Sequence, residues 1–158
     1  MADEYLFAPQ PQAALSIVGE RKRFPVARIF CVGRNYVEHS REMGNEVDRE
    51  APFYFLKPTV GMAHSGATVP YAPGTRDLHH EMELVVAIGR PAFRIGAEEA
   101  RSVVYGYACG LDMTRRDLQQ EGKDKRRPWD FGKAFENGAV LGPLTPASSI
   151  PSLEGRRI

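Results

Sequence analysis

Short apolar runs broken by glycine and proline dominate the chain, and few of them are long enough for a helix. The run 27–32 (Ala-Arg-Ile-Phe-Cys-Val) predicts a buried strand that stops at Gly33. Residues 36–43 carry helical spacing and stop at Gly44, a suitable C-cap. A second strand is predicted over 52–56, ended by Lys57-Pro58 because proline cannot donate to a ladder. After loop signals at Gly61, Gly66, Pro70, Pro73 and Gly74, the run 81–88 is the clearest strand, closed by Gly89. A short helix follows over 97–102, with Glu98 and Glu99 in the first turn where the helix dipole favours acids. Residues 103–111 read as a further strand in which Gly106 and Gly110 mark a bulge or a close backbone approach. A short polar helix is expected over 113–120, and Gly142-Pro143 opens an extended tail. Residues 1–22 read as an irregular N-terminal extension with one apolar patch at 13–18. The last residues, 152–158, resemble a turn toward a further strand, which leaves a sheet edge unpaired. Several strands with short helices predict an α+β, mostly β domain over 23–158.

Composition narrows the function classes. A formal net charge of +1 gives no broad electrostatic case for nucleic acid or an anionic membrane. The most basic stretch, Lys123, Lys125, Arg126 and Arg127, has no interleaved aromatics and reads as a solvated loop. Cys31 and Cys109 lie in apolar surroundings outside any metal-finger spacing, so both are expected to be buried small hydrophobes in a reducing compartment. No basic and apolar leader opens the chain and no run reaches bilayer length, so the expectation is a cytoplasmic protein.

A few residues stand out as chemistry. Glu81 and Glu83 are two apart on a strand, so both point to one face. Carboxylates aimed together repel unless a cation joins them, and a hard divalent ion such as magnesium does so. The alternative is the solvent face of an edge strand, but the apolar run that follows places the pair at the mouth of a buried one. His79 and His80, adjacent on an extended chain, point to opposite faces and read as bystanders. Asp112 ends an apolar strand and is either a third ligand or the N-cap of the next helix, with the local pattern favouring the cap. His39 and Glu42 share a helix face, where the carboxylate could orient an imidazole as general base; exposed pairs of this kind are also common. Lys133, among Trp129, Phe131 and Phe135, either snorkels to solvent or supplies charge to a site.

Read together, CVGRNYVEHSREM (31–43), FYFLKP (53–58), HHEMELVVAIG (79–89), YGYACGLDMTRRDLQ (105–119) and WDFGKAFENGAVLGP (129–143) resemble the fumarylacetoacetate hydrolase family in order and spacing. The resemblance covers residues 23–146, and the wording is most similar to bacterial members that cleave fumarylpyruvate in gentisate breakdown. It implies a mixed β-sheet roll with short peripheral helices. It also implies that Glu81, Glu83 and Asp112 hold Mg2+ or Mn2+, and that His39 with Glu42 activates water. Lys133 then contacts substrate oxygens, Arg116 and Gln119 face the substrate, and Arg34 and Tyr36 line the same pocket. The implied reaction is hydrolysis of a C–C bond in a 2,4-dioxo acid by a homodimer. Decarboxylation or isomerisation of a related oxo acid is the nearest alternative, and an inactive fragment the other. Family members continue with further strands and a Thr-Gly-Thr-Pro loop not found here, so the residues after 22 are expected to form the N-terminal part of the domain, with the sheet incomplete.

Overall fold

The computed structural model of the protein describes residues 4–33 and 51–155. The predicted helix over 36–43, and with it Arg34, Tyr36, His39 and Glu42, lies outside them. Two small ribbons and one larger mixed sheet make up the described fold. Strands β1 (Ala14–Ser16) and β2 (Arg23–Pro25) pair antiparallel, with Leu15 opposite Phe24. Strands β3 (Ile29–Val32) and β4 (Tyr54–Lys57) form a second antiparallel pair, with Cys31 opposite Phe55 and Ile29 opposite Lys57.

The main sheet runs β5 (Ala63–His64), β8 (Ala139–Leu141), β7 (Val104–Arg115), β6 (Leu78–Ile88), and β9 (Thr145–Pro146) adds to β7. In this sheet β5 and β8 pair parallel, and the β6–β7, β7–β8 and β7–β9 pairs are antiparallel. A 3₁₀ turn, Ala97–Val103, carries the chain from β6 to β7. Helix α1 (Arg116–Asp124) leaves β7 directly, and one turn of helix, α2 (Asp130–Lys133), packs back on it. The expected mixed, mostly β architecture with short helices is the one observed.

Local readings differ in instructive ways. The strand expected over 103–111 continues to Arg115, and the helix begins three residues later than its polar pattern suggests. The cause is the ladder: Asp112, Met113 and Thr114 pair with Glu81, His80 and His79, which engages backbone groups that a helix would otherwise take. Asp112 is therefore a strand residue and not an N-cap; Arg115 holds the cap position. For the same reason β6 starts at Leu78, so Glu81 lies inside the strand and not at its mouth.

The stretch before residue 23 is not wholly irregular. The apolar patch forms β1, and Leu15 and Ile17 enter the core with Val26, Ala87, Ala108, Leu141 and Leu144. Two backbone bonds lock it there, Val18 N–H to the Leu144 carbonyl at 2.8 Å and Leu144 N–H to the Ser16 carbonyl at 2.9 Å. Cys31 is only half-buried, and Cys109 is exposed because odd positions of β7 face away from the core. Among the described residues no helix is long and apolar enough to cross a membrane.

The glycines of β7 mark close approach, as their spacing suggests. Gly106 lies opposite Pro146, and a Cβ there would collide with the Thr145 carbonyl oxygen. Gly106→Ala should therefore displace β9 and cost about 1–3 kcal/mol of stability, measured by urea unfolding. An unchanged midpoint would show that β9 does not need this contact.

Candidate active site

Rungs of the β6–β7 ladder set the site. Glu81 stands directly opposite Asp112, and Glu83 opposite Gly110, so the three carboxylates belong to one face of the hairpin. Directly opposed like charges destabilise an antiparallel pair. Cations from three other elements answer them. Lys133, at the end of α2, donates to Glu81 Oε2 at 2.6 Å, Asp112 Oδ2 at 2.8 Å and Thr114 Oγ1 at 2.6 Å. Lys57, at the end of β4, lies 2.8 Å from Asp112 Oδ1. Arg116, the first residue of α1, pairs with Glu81 Oε1 and donates to Gln119 Oε1 at 2.7 Å.

The cluster is nearly dry. The Lys57 and Lys133 side chains are 1% and 3% exposed, and Asp112 is 6% exposed. Lys133 does not snorkel; it supplies charge. Removing one partner from such a buried pair leaves an uncompensated ion, which is why these contacts are mutually obligatory. Burial works to raise the Glu81 carboxyl pKa, but the charge and hydrogen bond of Lys133, then Arg116, outweigh it and hold the group at about 2. Burial pulls the Lys57 ammonium below its usual range, with Asp112 opposing. The Cys31 thiol on β3 is pushed up to about 12 by burial and by the negative charge of Asp112, so it sits within the field of the site as a neutral thiol.

Aromatic rings wall this cluster. Trp129 meets Phe53 edge-on at 5.1 Å and Phe55 at 5.9 Å, and Lys133 lies over Phe55. Phe135 is flanked by Lys57 and Arg115 at 5.3 and 4.3 Å. Gly132 lets α2 press against α1: a Cβ there would sit 2.8 Å from the Gln119 backbone nitrogen.

Of the residues singled out by sequence, Glu81, Asp112, Lys133, Arg116 and Gln119 are joined in one network. Glu83 shares their face and is half-buried. His79 bonds Asp77 in solvent at 2.8 Å, consistent with a bystander. Two members escaped the sequence reading. Lys57 was hidden in a strand-breaking Lys-Pro pair, although its position two residues after Phe55 puts it on the inner face of an aromatic strand. Thr114 follows Asp112 by the same alternation.

The donor set fits a hard divalent ion in its chemistry. All three candidates offer carboxylate oxygens, the ligands magnesium and manganese favour. Asp112 Oδ1 is enclosed and accepts no hydrogen bond among the described residues, although Lys57 is close enough for an ion pair. As it stands, Lys133 lies between Glu81 and Asp112, and among the described residues no three acidic, histidine or cysteine side chains converge to ligand distance.

Residues 28–158 match the family described as "Fumarylacetoacetate (FAA) hydrolase C-terminal", and the chain belongs to the fumarylacetoacetate hydrolase family. It is 50% identical over 115 residues to a fumarylpyruvate hydrolase of a Ralstonia species, covering 72% of this chain and 60% of that protein. It is 42% identical over 123 residues to the mitochondrial oxaloacetate tautomerase of Homo sapiens, covering 78% of this chain and 55% of that one. In structure it resembles fumarylpyruvate hydrolase from Pseudomonas aeruginosa in complex with Mn2+ and pyruvate, with a TM-score of 0.87 and 47% identity over 94% of this chain and 65% of that one. The chain thus spans well under two thirds of the length of the two curated relatives.

The Glu81 shift has a consequence in acid. Its folded pKa lies below its ordinary 4.5, so its contribution is fully present above about 4.5 and is lost as pH falls through about 2. Melting temperature should fall across that window, and Glu81→Gln should flatten this part of the profile. An identical acid profile in the variant would refute the assignment.

Proposed function

We propose that the chain is the part of an acylpyruvate hydrolase that carries its acidic centre, with fumarylpyruvate as substrate and fumarate and pyruvate as products. The observation that carries the reading is the Glu81–Asp112 rung with Lys133 seated on both carboxylates. The 50% identity to a fumarylpyruvate hydrolase supports the substrate.

Under this reading Glu81, Glu83 and Asp112 would hold Mg2+ or Mn2+; the Mn2+ and pyruvate in complex with the Pseudomonas aeruginosa enzyme support that choice. The ion would supply Lewis acidity to the 2-oxo group and carboxylate of the substrate and so make pyruvate enolate an acceptable leaving group. His39, oriented by Glu42, takes a proton from the water that attacks the 4-carbonyl. Lys133 stabilises the oxyanion that forms there. Arg116 and Gln119, already bonded to each other beside Glu81, orient the acid, with Arg34 and Tyr36 lining the same pocket. A homodimer is the assembly this reading expects.

Oxaloacetate tautomerisation is the second reading, favoured by the 42% identity to an enzyme of that name. It needs enolisation without water attack, so the two differ in their demand on His39. The test is a parallel assay of fumarylpyruvate, acetylpyruvate and oxaloacetate with Mg2+ or Mn2+. Fumarylpyruvate should be cleaved fastest; tautomerisation of oxaloacetate without any cleavage would replace the first reading by the second. His39→Ala should lower cleavage about 10²–10⁴-fold while metal affinity holds, and equal loss of both would remove its role as base. Glu83→Gln should weaken Mn2+ binding instead, and unchanged affinity would exclude it as a ligand.

A further inference from the structure

Two lysine ammonium groups enter this centre and differ in the oxygens they hold: those of Lys133 Nζ belong to side chains, whereas Lys57 Nζ also takes up backbone oxygens. Lys57 Nζ has three at close range: the Met113 carbonyl at 2.9 Å, the Lys133 carbonyl at 2.6 Å and Asp112 Oδ1 at 2.8 Å. Two of these are backbone oxygens, so its engagement is built into the fold. The third contact is an ion pair with the carboxylate.

The identity of those oxygens is informative. Met113 follows Asp112 on β7, so Lys57 holds the main chain beside that carboxylate as well as the carboxylate itself. The Lys133 carbonyl ends α2, where a helix leaves its last carbonyls without internal partners. Lys57 thereby ties the backbone of Lys133 to the strand that presents Asp112, and Lys133 Nζ reaches the other oxygen of the same carboxylate. One lysine grips Asp112 from one side and fixes the base from which the second lysine grips it from the other.

We infer that Lys57 is a positioning residue for this centre, fixing Asp112 and the end of α2 at once so that carboxylate and Lys133 ammonium meet at one point. The inference rests on the proposed reading of Asp112 and Lys133 as working groups. Groups that bond to a metal's carboxylate or histidine ligands typically alter metal affinity about 10–100-fold when removed. The sign of the change separates two roles. If Lys57 were merely a nearby positive charge, its removal would tighten the binding of a divalent cation. If it positions Asp112, its removal weakens that binding.

The experiment is Mn2+ binding by the intact chain, followed by electron paramagnetic resonance, in wild type and Lys57→Met. Trp129, the single tryptophan, reports α2 in the same samples, since it occupies the cap position of that helix and packs on Phe53 and Phe55. Lys57→Met should raise the Mn2+ dissociation constant about tenfold and should make Trp129 more accessible to acrylamide. Unchanged or tighter Mn2+ binding in the folded variant overturns the inference. Should Lys57→Met not fold, Lys57→Gln keeps amide donors for the carbonyls while giving Asp112 no charge; Mn2+ binding tighter than wild type in that variant marks a merely repelling charge and likewise overturns it. A wild-type chain that binds no Mn2+ defeats the metal reading by itself. Lys57 is then judged on Trp129 alone, where unchanged quenching in the variant refutes positioning and increased quenching upholds it.

Discussion

Burying two carboxylates face to face across one rung of an antiparallel ladder is the constraint on which the rest of this structure turns. Glu81 and Asp112 cannot share that rung as bare charges, and water is nearly excluded from it. The molecule resolves the conflict with cations delivered from three separate elements, β4, α1 and α2. Electrostatics here is an organising force more than a stabilising one. It specifies where each peripheral element must dock, since buried ion pairs cost nearly as much to desolvate as they return. The aromatic rings around the lysines take part, because their negative faces make a dry environment tolerable for cations.

Much of the sheet was legible from the sequence. The run 81–88 and the apolar run before Asp112 give the two long strands, and the glycines at 106 and 110 announce close contacts that occur. What failed were boundaries. Local composition suggested a helix from Met113, but pairing with His79 and His80 extended the strand, and that long-range ladder has no local signature. The same ladder decides between the two readings of Asp112. A residue facing Glu81 in mid-strand has a different chemical neighbourhood from a helix cap, and only the register distinguishes them.

The site was legible in pieces and illegible as a network. Glu81, Asp112, Lys133, Arg116 and Gln119 stand out in the sequence, partly from spacing and partly from family likeness, and the fold joins them in one network. Lys57 carries no local signal of its role, because Lys57-Pro58 reads as strand termination; the strand does end there, yet its last side chain faces inward. Thr114 was absorbed into a helix that starts later. His39 and Glu42, Arg34 and Tyr36 lie outside the described residues, so their part in the proposed chemistry rests on the family pattern.

The chain order of these elements bears on how the protein reaches its folded form. Strands β6 and β7 are neighbours in sequence, and closing the segment between them has a modest entropic cost. The contacts that complete the charge network are far more distant: Lys57 reaches Met113 across 56 positions and Lys133 across 76. Such non-local contacts form slowly compared with a local hairpin. The hairpin can therefore assemble from near neighbours in sequence, whereas the charge network closes only where the ends of β4 and α2 meet its acidic face.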